Sequence, residues 1–187
     1  MEIRPDNLQE LVGQWSQDNF GNQVSKSSGV ELGSIPPLLG MVEEICDELM
    51  TAYNNRDEKG ALDALGDIMI FMCDFACRET IPVTLYKLED TIDVLCEEMM
   101  FAHLLGKLCH VVLKRHQGIR GYDDDNKYVA ERNKILASLC YQIKSCLLAI
   151  EGEMFEKYHH PEAHWILACE VFSNIVSKRN WKKPTDN

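Results

Sequence analysis

The sequence predicts an all-α fold, an antiparallel helical bundle, from three observations. Apolar residues recur three and four positions apart through most of the chain, the period of a helix with one buried face. No segment alternates apolar and polar residues between turn formers, so no strand is expected. Short stretches rich in Pro, Gly and Asn separate the periodic segments, and short loops join antiparallel neighbours.

The first helix is expected over residues 7–18, with Leu8, Leu11, Val12 and Trp15 on one face and Asp6 or Asn7 as its cap. Residues 19–33, rich in Gly and Ser, read as the longest loop and as a mobile one. Pro36 and Pro37 open a helix running to about Asn54, since proline suits a first turn. A turn at Asn54–Asp57 leads to a helix over about 58–79, apolar around more than half its circumference and so suited to the centre of a bundle. Pro82 breaks the pattern, and a long helical segment covers about 85–116. The loop Gln117–Gly121 follows, then Asp123–Asn126, which caps a helix over about 127–151. Pro161 precedes a last helix over about 161–178, and the tail around Trp181–Pro184 is polar and frayed.

The 187 residues suffice for a single helical domain over 1–187 with a real core. A net charge of −11 sets the chain against polymeric DNA or RNA, which demands a positive field to displace counterions from phosphates. A small phosphorylated ligand stays open, because a divalent cation inverts the local sign. Eight cysteines lack any C-x-x-C pair and mostly lie in apolar stretches, as Cys73 does, so they read as buried free thiols in a reducing compartment. The first residues lack the apolar centre of a signal peptide, and no apolar run reaches eighteen. The expectation is therefore a cytoplasmic protein without a membrane span.

The acids carry the chemical signal. Between positions 43 and 67 there are eight carboxylates and only two bases, Arg56 and Lys59. On a helix, residues four apart share a face, which pairs Glu43 with Asp47, Glu44 with Glu48, and Asp63 with Asp67. Such like-charge pairs destabilise a helix. The Asp63/Asp67 pair is the more telling, because Leu62, Leu65 and Ile68 surround it and buried carboxylates without a cation are costly. A hard cation with oxygen ligands resolves the conflict, and Mg²⁺ accepts both carboxylates and substrate phosphates. The competing reading is a solvated acidic helix face.

The run Pro37-Leu38-Leu39-Gly40-Met41-Val42-Glu43-Glu44-Ile45-Cys46-Asp47-Glu48-Leu49, followed by Asp63-Ala64-Leu65-Gly66-Asp67-Ile68, resembles the MazG-type all-α nucleotide pyrophosphohydrolases. Their signature is E-E-x-x-E on one helix and E-x-x-D on the next. Trp15 with Asn19-Phe20-Gly21-Asn22 is similar to the opening segment of many such chains, and the likeness spans roughly residues 10–80. The resemblance implies Mg²⁺-dependent (or Mn²⁺-dependent) hydrolysis of a nucleoside triphosphate, a dNTP by preference, to the monophosphate and pyrophosphate. It implies Glu44, Asp47 and Asp67 as metal ligands, with Glu48 and Asp63 as substitutes, and Glu43 as ligand or water-orienting group. Two departures stand out. Asp47 replaces the third glutamate of the first motif, and Ala64 replaces the glutamate of the second.

Residues 104–121, ending Lys114-Arg115-His116-Gln117-Gly118-Ile119-Arg120-Gly121, also resemble a MazG segment, but one without its acids. His103, Leu104 and Lys107 fall where the first motif belongs, and a shift of 73 residues sets Leu136 and Cys140 opposite Asp63 and Asp67. The resemblance implies a tandem duplication, an acidic repeat over 7–80 and a degenerate one over 85–180, forming an intrachain pseudo-dimer that could pair again as a homodimer. Lys114, Arg115 and Arg120 form a basic stretch free of acids. It suits triphosphate binding or, equally, a solvated helix end. His159, His160 and His164 read as surface histidines, and Cys73/Cys77 as core packing. A catalytically inert bundle serving as a binding or regulatory module is the rival to the enzyme.

Overall fold

The computed structural model describes residues 2–21, 32–81, 83–88, 101–148 and 160–178. Most of the expected 19–33 loop, Pro82, Cys96, His159, the junctions at 89–100 and 149–159, and the tail lie outside these residues. Among the described residues all regular structure is helical, and there is no strand.

Helix α1 spans Leu8–Phe20. The side chain of Asn7 does not cap it. Instead Asn7 Oδ1 accepts from the Arg4 N–H at 2.8 Å, and its amide donates to the Glu2 carbonyl at 3.0 Å, tying down the N-terminal strip. Helix α2, Ile35–Glu43, carries its prolines in the first turn as expected. It runs without a break into a π-helical turn, Glu44–Leu49, and then into α3, Met50–Asn55. Arg56 takes a left-handed conformation (φ 55°), and Asp57 caps α4 (Glu58–Arg78) by accepting from the Gly60 N–H at 3.0 Å. A single turn, α5, covers Leu85–Leu88. Helix α6 spans Phe101–Gln117, α7 spans Asp125–Leu148 and α8 spans Ala163–Lys178.

Helix α4 is the centre, as its nearly all-round apolar pattern requires. It packs against α1, α2, the π turn, α3, α7 and α8. One contiguous core runs from Leu8 and Val12 through Ile68, Met69, Met72 and Phe75 to Leu104, Leu136, Leu139, Trp165 and Phe172, and so joins the helices of both halves. Trp15 anchors α1 to α8 with an edge-on contact to Phe172, ring centroids 5.9 Å apart.

Two glycines let helices touch at the backbone. A Cβ on Gly40 would lie 2.4 Å from Phe71 of α4, and one on Gly66 would lie 2.5 Å from Val171 of α8. Gly40→Ala is therefore expected to destabilise by about 1–2 kcal/mol. Overpacking costs about 1–3 kcal/mol, and alanine's helical advantage of about 1 kcal/mol offsets only part of that. A lower urea midpoint at unchanged slope would show it.

The helix joining sequence to core at the C-terminal end of α4 uses a polar knot that local sequence does not announce. Arg132, 2% exposed, reaches from α7 to the Glu79 carboxylate at 3.3 Å and stacks on Tyr128, 5.1 Å from its ring centroid. The same carboxylate accepts from the Tyr128 hydroxyl at 2.5 Å and from the Ser34 hydroxyl at the start of α2. Burial and the Glu79 charge hold the Tyr128 phenol well above its ordinary pKa. Nearby, Arg78 pairs with Asp74 at 2.9 Å and donates to Ser16 of α1 at 2.8 Å.

The thiol expectation is met in part. Cys73 and Cys140 are buried, Cys46 is exposed, and no disulfide joins any described cysteine. His160 is exposed, but His164 is not the surface residue expected: it is 1% exposed and packs on Trp165, because the first turn of α8 faces the core. No described helix is long and apolar enough to cross a membrane.

Candidate functional site

The π turn that carries Glu44 and Glu48 lies against α4, which carries Asp63 and Asp67. In α-helix, residues three and four apart stack; the i→i+5 pairing of a π turn instead brings residues four and five apart into line. The turn starts at Glu44. Glu48, four residues from Glu44 and five from Glu43, therefore shares their side of the turn.

Glu44 is the unusual member. It is 6% exposed, and its Oε2 is buried with no hydrogen-bond partner. Burial pushes its carboxyl up to about 8, and the charges of Asp67, Glu48, Glu43 and Asp63 add to the effect in that order. These acids come from both helices and lie within electrostatic reach of Glu44. Asp47 is exposed and does not belong to the set acting on Glu44.

The remaining burial differs from the expectation drawn from the apolar neighbours of Asp63. Asp63 is exposed and Asp67 is half-buried, whereas Ala64, between them, is fully buried. The 100° step per residue places Ala64, not Asp63, against the core. The buried acid of the group is thus Glu44, three and four residues after the buried Met41 and Gly40. In the second half, Leu136, Ala137 and Cys140 are all buried and apolar, so the shifted counterparts of Asp63, Ala64 and Asp67 form core.

Among the described residues, no three His, Cys, Asp or Glu side chains are gathered closely enough to cage a metal ion as they stand. The donor set is nevertheless hard oxygen only, and the orphaned Oε2 of Glu44 lacks a partner that a cation would supply. The oxygen donors are of the type a hard cation accepts, but the described residues hold no ready-made cage for one.

Of the basic stretch, Arg115 is engaged elsewhere. Its guanidinium donates to the Tyr122 and Asp123 carbonyls, each at 3.0 Å, and pairs with Asp125. It closes the α6–α7 loop. Lys114 donates to Gln117 at 2.8 Å, and Arg120 is exposed with a left-handed backbone (φ 60°). Nothing among these contacts carries the three to the acids.

No protein-family model, curated protein or solved structure matches this chain. The chemistry of the site rests on its residues.

The Glu44 carboxyl also sets a pH dependence. The folded protein holds this proton up to about pH 8, while an unfolded glutamate releases it near 4.5. The stabilisation is complete below about pH 4.5 and is lost as pH rises towards 8. Metal-free protein is thus expected to melt at progressively lower temperature from pH 5 to 8 and to level off above. An unchanged difference from Glu44→Gln across that range would contradict it.

Proposed function

We propose that the chain is a Mg²⁺-dependent nucleoside triphosphate pyrophosphohydrolase with a MazG-like bundle. The observation that carries the reading is the buried Glu44 carboxylate with one unpartnered oxygen, ringed by acids from two helices. A protein that places such a group in its core without a cation accepts a large desolvation cost for no structural return. Glu44, Glu48 and Asp67 would hold the ion, with Asp63 at the rim. Asp47 has the weaker claim of the two acids at the end of the first motif. When bound, Mg²⁺ (or Mn²⁺) neutralises phosphate charge and favours a nucleophilic water.

The chain's own residues supply the rest. Glu43, exposed at the end of α2 beside Glu44, orients the attacking water and takes up its proton. The water oxygen bonds to the α-phosphorus, the bond from that phosphorus to the α,β-bridging oxygen breaks, and pyrophosphate leaves with those electrons. A dNTP is the expected substrate, and the cytoplasm the expected location. The two halves would be an intrachain pseudo-dimer in which the second copy, its acids replaced by core residues, acts as scaffold.

The rival reading is an inert binding module. It is favoured by the full burial of Ala64 where the family motif has a glutamate, and by the absence of a ready-made three-ligand cage among the described residues. A thermal shift separates the two. Mg²⁺ or Mn²⁺ at millimolar concentration is expected to raise the melting temperature of the native chain and not of Asp67→Ala, and a panel of nucleoside triphosphates should yield pyrophosphate. No metal response together with no pyrophosphate would leave the inert module standing.

A further inference from the structure

A second cavity, of about 580 Å³, lies between α6 and α7 beneath the loop that joins them. It is cationic in a protein of net charge −11. His103, Lys107 and His110 line it from one face of α6, at the four- and three-residue spacing that stacks them. Lys134 faces them from α7. Among the described residues neither lysine forms an ion pair. The one carboxylate in the wall, Glu131, accepts from the Tyr122 hydroxyl and keeps its charge, so the two lysines leave the wall net positive. A further cation, Lys127, sits 4.5 Å over the Tyr122 ring.

The walls are not uniformly polar. Val111 and Ile135 give a buried apolar side, and His110 meets Tyr122 edge-on with ring centroids 6.4 Å apart. Cations and apolar side chains from both helices in one cavity suit a ligand that carries both a phosphate and an apolar ring. The volume is that of a small-ligand pocket, well beyond the needs of a bare oxyanion. The site is separate from the acidic one. The α6 side chain that senses the π turn is Cys109, close to Cys46, and it lies roughly 120° around the helix from His103.

We propose that this cavity binds a nucleoside monophosphate, its phosphate held by Lys107 and Lys134 and its base against Val111 and Ile135. The test is calorimetric titration of the full chain with each nucleoside monophosphate and with inorganic phosphate, all in EDTA. Two variants accompany it. Lys107→Ala/Lys134→Ala removes the charge. Gly106→Leu fills the cavity, because a Cβ there meets nothing within 4 Å and leucine favours the helix. Saturable, metal-independent binding of at least one monophosphate, weakened about tenfold or more by both variants and weakened by added salt, is the expected result. Absence of saturable binding, or affinity unchanged in either variant, would overturn the proposal. Inorganic phosphate binding as tightly as every monophosphate would overturn the nucleoside part. Binding that appears only with Mg²⁺ would assign the ligand to the acidic site and overturn it too. Because the assay excludes metal, its failure leaves the hydrolase reading untouched, and the reverse.

Discussion

Glu44→Gln is expected to make the metal-free protein more stable and, on the proposed hydrolase reading, to slow turnover. Above pH 8 the native carboxylate is ionised inside the protein, with an oxygen lacking any partner. Forcing ionisation from an intrinsic 4.5 to about 8 costs up to about 5 kcal/mol, at about 1.4 kcal/mol per pH unit. A neutral amide of the same shape avoids that cost. At pH 9 in EDTA the variant should melt up to about 10–20 °C higher than the native chain, and at pH 5 the two should nearly coincide. Turnover should fall by about 10²-fold or more, the scale of losing one directed electrostatic contact in an enclosed site. Melting curves at the two pH values and a pyrophosphate assay measure both halves. If the variant is no more stable at pH 9, the carboxylate is solvated and the site has been misread. If it is more stable yet equally active, the acid is strained for some other purpose.

The second large effect lies at the polar knot. Glu79→Ala should destabilise by about 3–5 kcal/mol, because it strands the Arg132 guanidinium, which is almost wholly buried. The loss also frees the hydroxyls of Ser34 and Tyr128, so the start of α2, the end of α4 and the start of α7 loosen together. A Glu79→Met/Arg132→Met double variant should recover much of the loss, since replacing a buried pair outright is far cheaper than breaking it. Urea denaturation of the three proteins decides the matter. Equal stability of native and Glu79→Ala proteins would mean that water already satisfies the arginine.

Much of the architecture was legible because helical periodicity is a strong local signal. The apolar girdle of residues 58–79 marked α4 as central, and Pro36–Pro37 and Asp57 marked two helix starts that the structure retains. What local pattern could not carry was long-range pairing. Glu79 and Arg132 are 53 residues apart, and nothing beside either announces the other. The acids were legible as a group, but their ranking was not. The apolar neighbours of Asp63 suggested burial for it, whereas Asp63 is exposed and Glu44, one turn on from the buried Gly40 and Met41, is the acid that faces inward. His164 was misjudged for a related reason. Polar type and a neighbouring proline suggest surface, but the side of α8 on which it stands faces Trp165 and the core.

The π turn carries one more residue per revolution than the helices it joins. The same stretch supplies Ile45 and Leu49 to the interior, so its acids and its packing share one index. Insertion or loss of one amino acid within Glu44–Leu49 would therefore shift Glu44 and dislodge Ile45 or Leu49 together, tying the position of the acids to the integrity of the bundle.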